Sequence, residues 1–297
     1  MKFKNLIQLL LLAALWGGSF LFMRIASPVI GPAIMIELRL LLAALFLLGI
    51  ALLLRRRLPL RQHWKHFAML GWFNTAMPFL LLGFAAQTLS ASLLSILNAT
   101  APIWGNLLIA LRFRKPITLT TLIGLLAGII GVAILLGFDP ILLQPGSSVA
   151  VIAGLVAALS YGIASCYAQG ADHVEPFTNA HGSMWAASLL LIPLLPFFPA
   201  QTTDNPTVIG SVLLLGIFCT GCAYLLYFRL ITDIGASSAI TVIFLVPVFG
   251  VLWGHLFLDE QIGWHTIIGA MIVLSGVALV THFNPLTLLR KRRLADV

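Results

Sequence analysis

Long apolar runs follow one another along almost the whole chain, separated by short polar segments. A helix needs about 20 predominantly apolar residues to cross a bilayer, and ten runs approach that length. They are continuous and rich in Leu, Ala and Ile, whereas the strands of a membrane β-barrel would alternate over about ten residues. The predicted spans are 5–25, 32–54, 66–87, 91–112, 117–137, 148–169, 177–198, 207–228, 236–258 and 264–283. The pattern therefore predicts an all-α integral membrane protein with ten transmembrane helices.

Composition supports this prediction. Hydrophobic residues make up 60% of the chain and charged residues 9%, with a mean hydropathy of +1.06. A soluble domain has about 25% charged residues, so this chain has too little charge for a water-facing surface. The N-terminus has the basic start and apolar core of a signal peptide. The apolar run continues through Phe22 and Met23, however, so we expect it to be retained as the first helix.

The net charge of +8 does not indicate a nucleic-acid partner, because the basic residues are concentrated on one side of the ten-helix plot. Fifteen of the 17 fall there: Lys2, Lys4, Arg55, Arg56, Arg57, Arg61, Lys65, Arg112, Arg114, Lys115, Arg229, Arg290, Lys291, Arg292 and Arg293. The opposite loops contain Asp139, Asp204, Asp259 and Glu260. Cytoplasmic loops are enriched in Lys and Arg, so both termini are predicted to be cytoplasmic. The basic tail at 286–297 would also contact anionic lipid.

The two halves of the chain repeat each other at an offset of 145 residues. Gly71 corresponds to Gly216 and Pro102 to Pro247. The same register pairs Thr75 with Thr220, Ala91 with Ala236, Gly105 with Gly250, Gly124 with Gly269 and Gly131 with Gly276. The predicted units are 1–140 and 146–285. Each contains five spans, an odd number, so the second unit enters the membrane inverted. Transporters with inverted repeats place their substrate site between the repeats.

Several segments resemble the drug/metabolite transporter superfamily, and most closely its ten-helix EamA-type members. They are "AALWGGSFLFMRIA" in span 1, "ELRLLLAAL" in span 2, "LNATAPIWGNLLIALRFRKPITLTTLIGLLAGIIGVAIL" through spans 4 and 5, and "VIFLVPVFGVLWGHLFLDEQIGWHTIIGAMIVLSGVAL" through spans 9 and 10. The resemblance covers nearly the whole chain. It implies a fold of two inverted five-helix repeats in a bacterial inner membrane, and export of small metabolites such as amino acids. The family is broad, so the resemblance names no single substrate.

Span 4 has the clearest polar stripe. Ser95, Asn98, Pro102 and Asn106 are three or four residues apart and share one helix face. Pro102 frees the carbonyl of Asn98, and in hydrocarbon that oxygen needs a partner or a water-lined cavity. We therefore expect Ser95, Asn98 and Pro102 to line the transport pathway, with packing between helices as the alternative for the two amides.

Further candidates for the substrate site lie well inside their spans: Trp16, Asn74, Trp104, Tyr161, Tyr224 and Pro247. Helix packing is the alternative for each aromatic residue. The face of span 9 that corresponds to the polar stripe is apolar and comprises Ile240, Ile243 and Val251. If both faces line one cavity, the solute should be amphiphilic, with a polar head and an apolar body.

Span 2 contains two charges, Glu37 and Arg39. They are two residues apart, about 200° around a helix, so at most one can point into a central cavity. Glu37 either exchanges a proton during antiport or pairs with another residue. Arg39 either has a structural or gating role or guides an anionic group, and an Arg at this place resembles a recurring family feature. If neither residue couples transport to an ion, transport would be facilitated diffusion.

The sequence offers two alternatives to a carrier, a thiol oxidoreductase and a channel-like permease. Cys219 and Cys222 form a CxxC pair, which can be redox-active in a thiol oxidoreductase, but the pair lies in mid-span. A channel-like permease would need a charged selectivity ring, which the sequence lacks. We expect a carrier rather than an enzyme, with no cofactor or metal. Its expected partners are a small-molecule solute, the lipid bilayer and protons if Glu37 couples transport, and it is expected to be a monomer or homodimer.

Overall fold

The computed structural model describes residues 3–114, 116–139, 144–172, 174–198, 201–239 and 241–281. In this part of the chain, eight helices are long and apolar enough to cross a membrane, and two apolar helices are 17 residues long. They are α1 (Phe3–Ile30), α2 (Pro32–Leu53), α3 (Leu60–Ala85), α4 (Ala91–Arg112), α5 (Leu119–Gly137), α6 (Ser147–Gln169), α7 (Pro176–Phe197), α8 (Pro206–Ile234), α9 (Val242–Leu258) and α10 (Trp264–Val280). The predicted all-α fold with ten helices is confirmed.

Several helix ends differ from their predicted positions. α1 continues to Ile30, five residues beyond the predicted end, and α3 begins at Leu60. Both extensions are more polar than the spans, and a hydropathy pattern marks the apolar core rather than the helix itself. The last turns of α7, Ile192–Phe197, form a 3₁₀-helix.

Two helices contain π-helical turns, Trp72–Ala76 in α3 and Leu214–Cys222 in α8. The turns occupy corresponding places in the two halves. A π turn inserts an extra residue into an α-helix and is frequent at functional sites. In α3 it makes residues five apart share a face, which the apolar pattern does not reveal.

α4 is interrupted between two segments, Ala91–Asn98 and Ala101–Arg112. Pro102 lies in the first turn of the second segment, where its missing N–H is no loss. The helix is therefore broken just before Pro102. The corresponding proline behaves differently, because Pro247 lies inside α9, and a short separate helix, Ala236–Ala239, precedes α9.

Glycines on α5 and α10 show how the two halves are related. A Cβ added to Gly124 would lie 2.7 Å from the carbonyl oxygen of Gly276, and one added to Gly131 would lie 3.0 Å from that of Gly269. The contact partners run in reverse order, so α5 and α10 are antiparallel. At the 145-residue offset, Gly124 corresponds to Gly269 and Gly131 to Gly276. Gly124 thus packs against Gly276, the counterpart of Gly131, and Gly131 packs against Gly269, the counterpart of Gly124. An inverted pair of repeats requires this exchange.

A second pair of close contacts follows the same relation. A Cβ on Gly17 in α1 would lie 2.9 Å from the Gly250 nitrogen in α9. Its counterpart Gly162 in α6 would bring a Cβ to 2.9 Å from the Gly105 nitrogen in α4. Each half therefore contributes a helix to the packing of the other, and small residues allow the close approach.

The buried core draws on helices of both halves, most of all α1, α2, α4 and α8, whereas α5 keeps a largely exposed face. Ile129 on that face is 66% exposed, as expected of a side chain in contact with lipid. The limits 1–140 and 146–285 remain a prediction. The tail at 286–297, and with it Arg290, Lys291, Arg292 and Arg293, lies outside the described residues, as do Lys2 and Lys115.

Candidate functional site

A cavity of about 530 Å³ lies between the two halves. Its walls come from α1, α2, α3 and α4 of the first half and from α6, α8 and α9 of the second, and Thr281 lies just after α10. This volume is within the range of small-molecule sites, about 300–1,000 Å³. The substrate-site candidates named from the sequence lie on helices 1, 3, 4, 6, 8 and 9, and the structure adds α2 to the cavity wall.

Eight of the eleven residues proposed from the sequence for solute binding, coupling or gating line this cavity: Trp16, Arg39, Asn74, Ser95, Asn98, Pro102, Tyr161 and Tyr224. Three others do not. Trp104 packs its Cβ and backbone against Gly162 of α6. Pro247 is buried in α9, one residue from Val246, which does line the cavity. Glu37 lies on the other side of α2.

Arg39 is the one described charged residue in the cavity wall, and it is 4% exposed. Its Nε donates a hydrogen bond of 2.9 Å to Thr220 Oγ1 of α8. Its guanidinium carbon lies 3.6 Å from the centre of the Phe79 ring of α3. A guanidinium over an aromatic face is stabilised electrostatically, so Arg39 is held on two sides by side chains from different halves.

Glu37 faces α7 instead. Ser188 Oγ donates a hydrogen bond of 2.5 Å to Glu37 Oε1, while Oε2 is buried without a partner among the described residues. The two charges of span 2 therefore point in different directions, as their spacing predicts, and only Arg39 faces the cavity.

The polar stripe of α4 is partly satisfied within the helix. Ser95 donates to the Ser92 carbonyl at 2.8 Å, and Asn106 donates to the Pro102 carbonyl at 2.9 Å. Asn98 differs, because its Oδ1 has no hydrogen-bond partner in the described structure. A buried carbonyl without a partner is costly, so Asn98 offers an acceptor to anything that enters the cavity.

Aromatic rings form much of the remaining wall. Trp16 of α1 lies with its ring centre 6.4 Å from that of Tyr224 and 5.3 Å from that of Tyr227, both on α8. Rings at these separations attract one another. The ring planes are inclined by 70° and 49°, so the cluster is an edge-on and tilted arrangement of aromatic rings in the cavity wall.

The sequence interpretation missed several lining residues, including Ser19, Met23, Phe79, Cys219 and Tyr227. Helical spacing from Trp16 would have found Ser19 and Met23, and spacing from Tyr224 would have found Tyr227. Phe79 is five residues from Asn74 and reaches the same wall through the π turn. Cys219 lines the cavity as a free thiol, and Cys222 is also free.

The cavity extends toward one end of the helices. We call the end that carries Arg55, Arg56 and Arg112 the basic end, and the opposite end, with Asp259 and Glu260, the acidic end. Thr281, directly after α10, and Ile109, three residues before Arg112, line the cavity near the basic end.

At the acidic end, three side chains bind the end of α3 and the start of α4, and we call them the acidic-end latch: Arg24, Ser27 and Glu260. Arg24 donates to the carbonyls of residues 86 and 87 at 2.9 and 2.7 Å, and Ser27 donates to that of residue 83 at 2.5 Å. Glu260 accepts from the backbone N–H groups of residues 91 and 92 at 2.6 and 3.0 Å, and from the Ser92 hydroxyl at 2.5 Å. A carboxylate at a helix N-terminus is doubly favoured by hydrogen bonds and the helix dipole. The latch therefore joins α1 and the segment after α9 to the end of α3 and the start of α4.

Comparisons with known proteins agree with this architecture. The model of the EamA-like transporter family matches residues 4–137 and again residues 148–282. The uncharacterized transporter YoaV of Bacillus subtilis is 24% identical over 94% of this chain and 97% of its own length. An uncharacterized transporter of Archaeoglobus fulgidus is 27% identical, covering 94% and 99%. A WAT1-related chloroplastic protein of Arabidopsis thaliana is 27% identical, covering 89% and 66%.

A crystal structure of a protein that is 17% identical superimposes with a TM-score of 0.62 and covers 99% of both chains. At this identity the likeness establishes the fold alone. The two family matches together span most of the chain and fall on its two repeats. The chain therefore belongs to the EamA-like transporter family and is a multi-pass membrane transporter.

Proposed function

We propose that the protein is a secondary carrier that exports small amphiphilic or amino-acid-like metabolites across a bacterial inner membrane by alternating access. The observation that carries the proposal is the cavity between the inverted halves, which extends toward the basic end. The hydrogen bonds of the latch would close the acidic end in this state. A carrier exposes one site to each side in turn, and a cavity with one closed end is what one of its two states requires.

The positions of the charges support the orientation of this proposal. Basic loops favour the cytoplasm, so the basic end, with Arg55, Arg56 and Arg112, would face inward. The cavity would then be in its cytoplasm-facing state, ready to load a solute for export. Both termini would be cytoplasmic.

The lining supports a solute with two kinds of surface. Asn74, Asn98 and Arg39 offer hydrogen bonds, whereas Phe20, Trp16 and the residues of α9 offer apolar contact. On α9, Val242, Ile243 and Val246 line the cavity opposite the polar stripe of α4. This arrangement favours an amphiphilic solute over a bare inorganic ion.

Glu37 is the candidate for coupling to protons. Its carboxyl group is buried, accepts one hydrogen bond from Ser188 and has no basic partner among the described residues. Ionisable residues at such positions commonly serve proton movement. If replacement of Glu37 by Gln left pH-driven transport unchanged, facilitated diffusion would be the better description.

The proposal is tested with purified protein in liposomes. Vesicles are loaded with a mixture of small metabolites, and mass spectrometry measures which ones leave. We expect saturable, protein-dependent release of a small set of solutes, and no release from empty-liposome controls. Release of none, or an unsaturable ionic current, would contradict a carrier.

A further inference from the structure

Arg39 is a fixed positive charge in the cavity wall. An arginine side chain stays protonated in proteins, and burial of an unpaired charge in a membrane protein is expensive. The hydrogen bond to Thr220 and the stacking on Phe79 orient the guanidinium. Both partners are electrically neutral, so neither balances its charge.

No carboxylate neutralises Arg39 in the described part of the chain. The ion pairs found there are Arg56 with Glu175 and Arg229 with Asp233, both away from the cavity. The cavity wall contains no Asp or Glu among the described residues. Glu37 is two residues away, but it faces Ser188 on α7. The charge of the empty site is therefore positive.

The guanidinium also retains hydrogen-bonding capacity. Its Nη1 contacts the sulfur of Met23 at 3.7 Å, which is a weak acceptor. No hydrogen bond from Nη2 to a described residue is found. Terminal guanidinium nitrogens suit the two oxygens of a carboxylate, which they bind in a planar, bidentate pair.

A second group points to the other polar part of the ligand. Asn98 lines the same cavity, and its Oδ1 is buried without a partner in the described structure. A carbonyl oxygen accepts a hydrogen bond from an O–H or N–H group. The ring cluster of Trp16, Tyr224 and Tyr227 supplies an aromatic surface in the wall of the same cavity.

We propose that the cavity selects organic monoanions, in which a carboxylate binds Arg39, a neutral hydroxyl or N–H group donates to Asn98, and an apolar body contacts the aromatic wall. The proposal rests on the proposed carrier function and specifies its solute class. A zwitterion would leave the net charge of the occupied site at +1, and an amine would raise it to +2. A monoanion alone makes the occupied site neutral, because no other charged residue of the described chain lies in the wall.

The test compares three compounds with one phenylpropane skeleton: 3-phenyllactate, an anion; phenylalanine, a zwitterion; and phenylalaninol, a cation. Binding to the purified full-length protein is measured by equilibrium dialysis at neutral pH. The variants are Arg39→Gln, which removes the charge, and Arg39→Lys, which retains it without the planar fork. Arg56→Gln is the matched control, because Arg56 is a half-exposed arginine at the basic end, outside the cavity.

We expect the native protein to bind 3-phenyllactate at least tenfold more tightly than phenylalaninol, with phenylalanine in between. Arg39→Gln should weaken 3-phenyllactate binding at least tenfold and abolish the differences in affinity among the three compounds. Arg39→Lys should keep the order at lower affinity, and Arg56→Gln should change nothing. If Arg39→Gln does not fold, the proposal is tested by the order of the three affinities in the native protein and in Arg39→Lys.

The proposal is overturned if phenylalanine or phenylalaninol binds the native protein as tightly as 3-phenyllactate, if Arg39→Gln keeps full affinity, or if 3-phenyllactate does not bind. It is also overturned if chloride at equal concentration abolishes 3-phenyllactate binding, because an inorganic anion would then neutralise Arg39. Binding is measured without transport, so these outcomes are independent of the liposome experiment. A carrier of zwitterions would release solute from the liposomes but would not prefer 3-phenyllactate in the binding experiment.

Discussion

The guanidinium of Arg39 stacks on the ring of Phe79, with its carbon 3.6 Å from the ring centre. Arg39 comes from α2 and Phe79 from α3, both in the first half of the chain. The same guanidinium donates to Thr220 on α8, in the second half. One buried charge thus joins three helices across the cavity, and a movement of the halves relative to each other would have to alter these contacts.

A bulky side chain at Asn98 should block transport. Asn98 is in the cavity wall where α4 is interrupted, so Asn98→Trp would fill space that the solute needs. We expect the rate of solute release from liposomes to fall at least tenfold, with normal membrane insertion. Ile129→Trp is the control, because Ile129 is on the exposed face of α5.

Ser95 is a less informative position for the same test. It is fully buried and packs closely against Gly250 of α9. A large residue there would disturb helix packing as well as the cavity. Unchanged release from Asn98→Trp vesicles would remove Asn98 from the solute pathway.

The glycine contacts between α5 and α10 should be required for stability. A Cβ on Gly131 would lie 2.8 Å from the backbone nitrogen of Val273, so Gly131→Ala forces the helices apart. Overpacking of this kind costs about 1–3 kcal/mol, and we expect a lower Tm in detergent. Gly137→Ala is the control, because nothing lies within 4 Å of the added methyl group. Equal Tm values for the two variants would contradict the close antiparallel packing.

How far the sequence predicts this molecule depends on the scale of the feature. The ten spans, the inverted halves and the different directions of Glu37 and Arg39 follow from apolar length, the 145-residue register and helical spacing. Helical spacing does not tell which of the two charges faces the cavity. Phe79 does not, because the π turn that brings it beside Asn74 leaves no mark on the apolar pattern. Pro102 and Pro247 correspond in sequence, yet only the first lies next to a helix break. The latch is not predictable from the sequence either, because Arg24 meets the end of α3, and Glu260 the start of α4, from distant parts of the chain.

The acidic-end latch should depend on the carboxylate of Glu260. It accepts hydrogen bonds from the backbone N–H groups of Ala91 and Ser92. Such charge-assisted hydrogen bonds are stronger than neutral ones. Glu260→Gln should therefore increase hydrogen–deuterium exchange in the segment 86–94 several-fold. Asp259→Asn removes a neighbouring charge and should leave exchange in that segment unchanged. Equal exchange in both variants would show that Glu260 does not hold the start of α4.

The contact between Arg56 and Glu175 at the basic end should make a small, pH-dependent contribution to stability. Their atoms lie 2.6 Å apart, but the side chains are 48% and 50% exposed. Burial raises the pKa of Glu175, whereas hydrogen bonds from Thr178 and Arg56 lower it, and the net effect is a lowered pKa. A carboxylate with a lowered pKa stabilises the fold above its unfolded pKa, and this stabilisation is lost as the pH falls through the folded pKa.

We therefore expect Glu175→Gln to lower stability by at most about 1 kcal/mol at neutral pH, because exposed ion pairs contribute little. The difference in Tm from the native protein should shrink as the pH falls below the ordinary range of a glutamate. Asp172→Asn, a nearby exposed carboxylate on the same side, is the control. A Tm difference that is constant across this pH range would contradict the assignment.

The most direct test of the account is side-specific access to the cavity. Cys166, Cys219 and Cys222 are replaced by Ala, Asn98 is replaced by Cys, and a membrane-impermeant maleimide is applied to vesicles of known orientation. We predict rapid labelling from the basic-end face and slow labelling from the acidic-end face, with the acidic-end rate increased when a transported solute is supplied on that side. Labelling from neither face, or equally fast labelling from both faces regardless of solute, would contradict a cavity that opens to the two sides in turn.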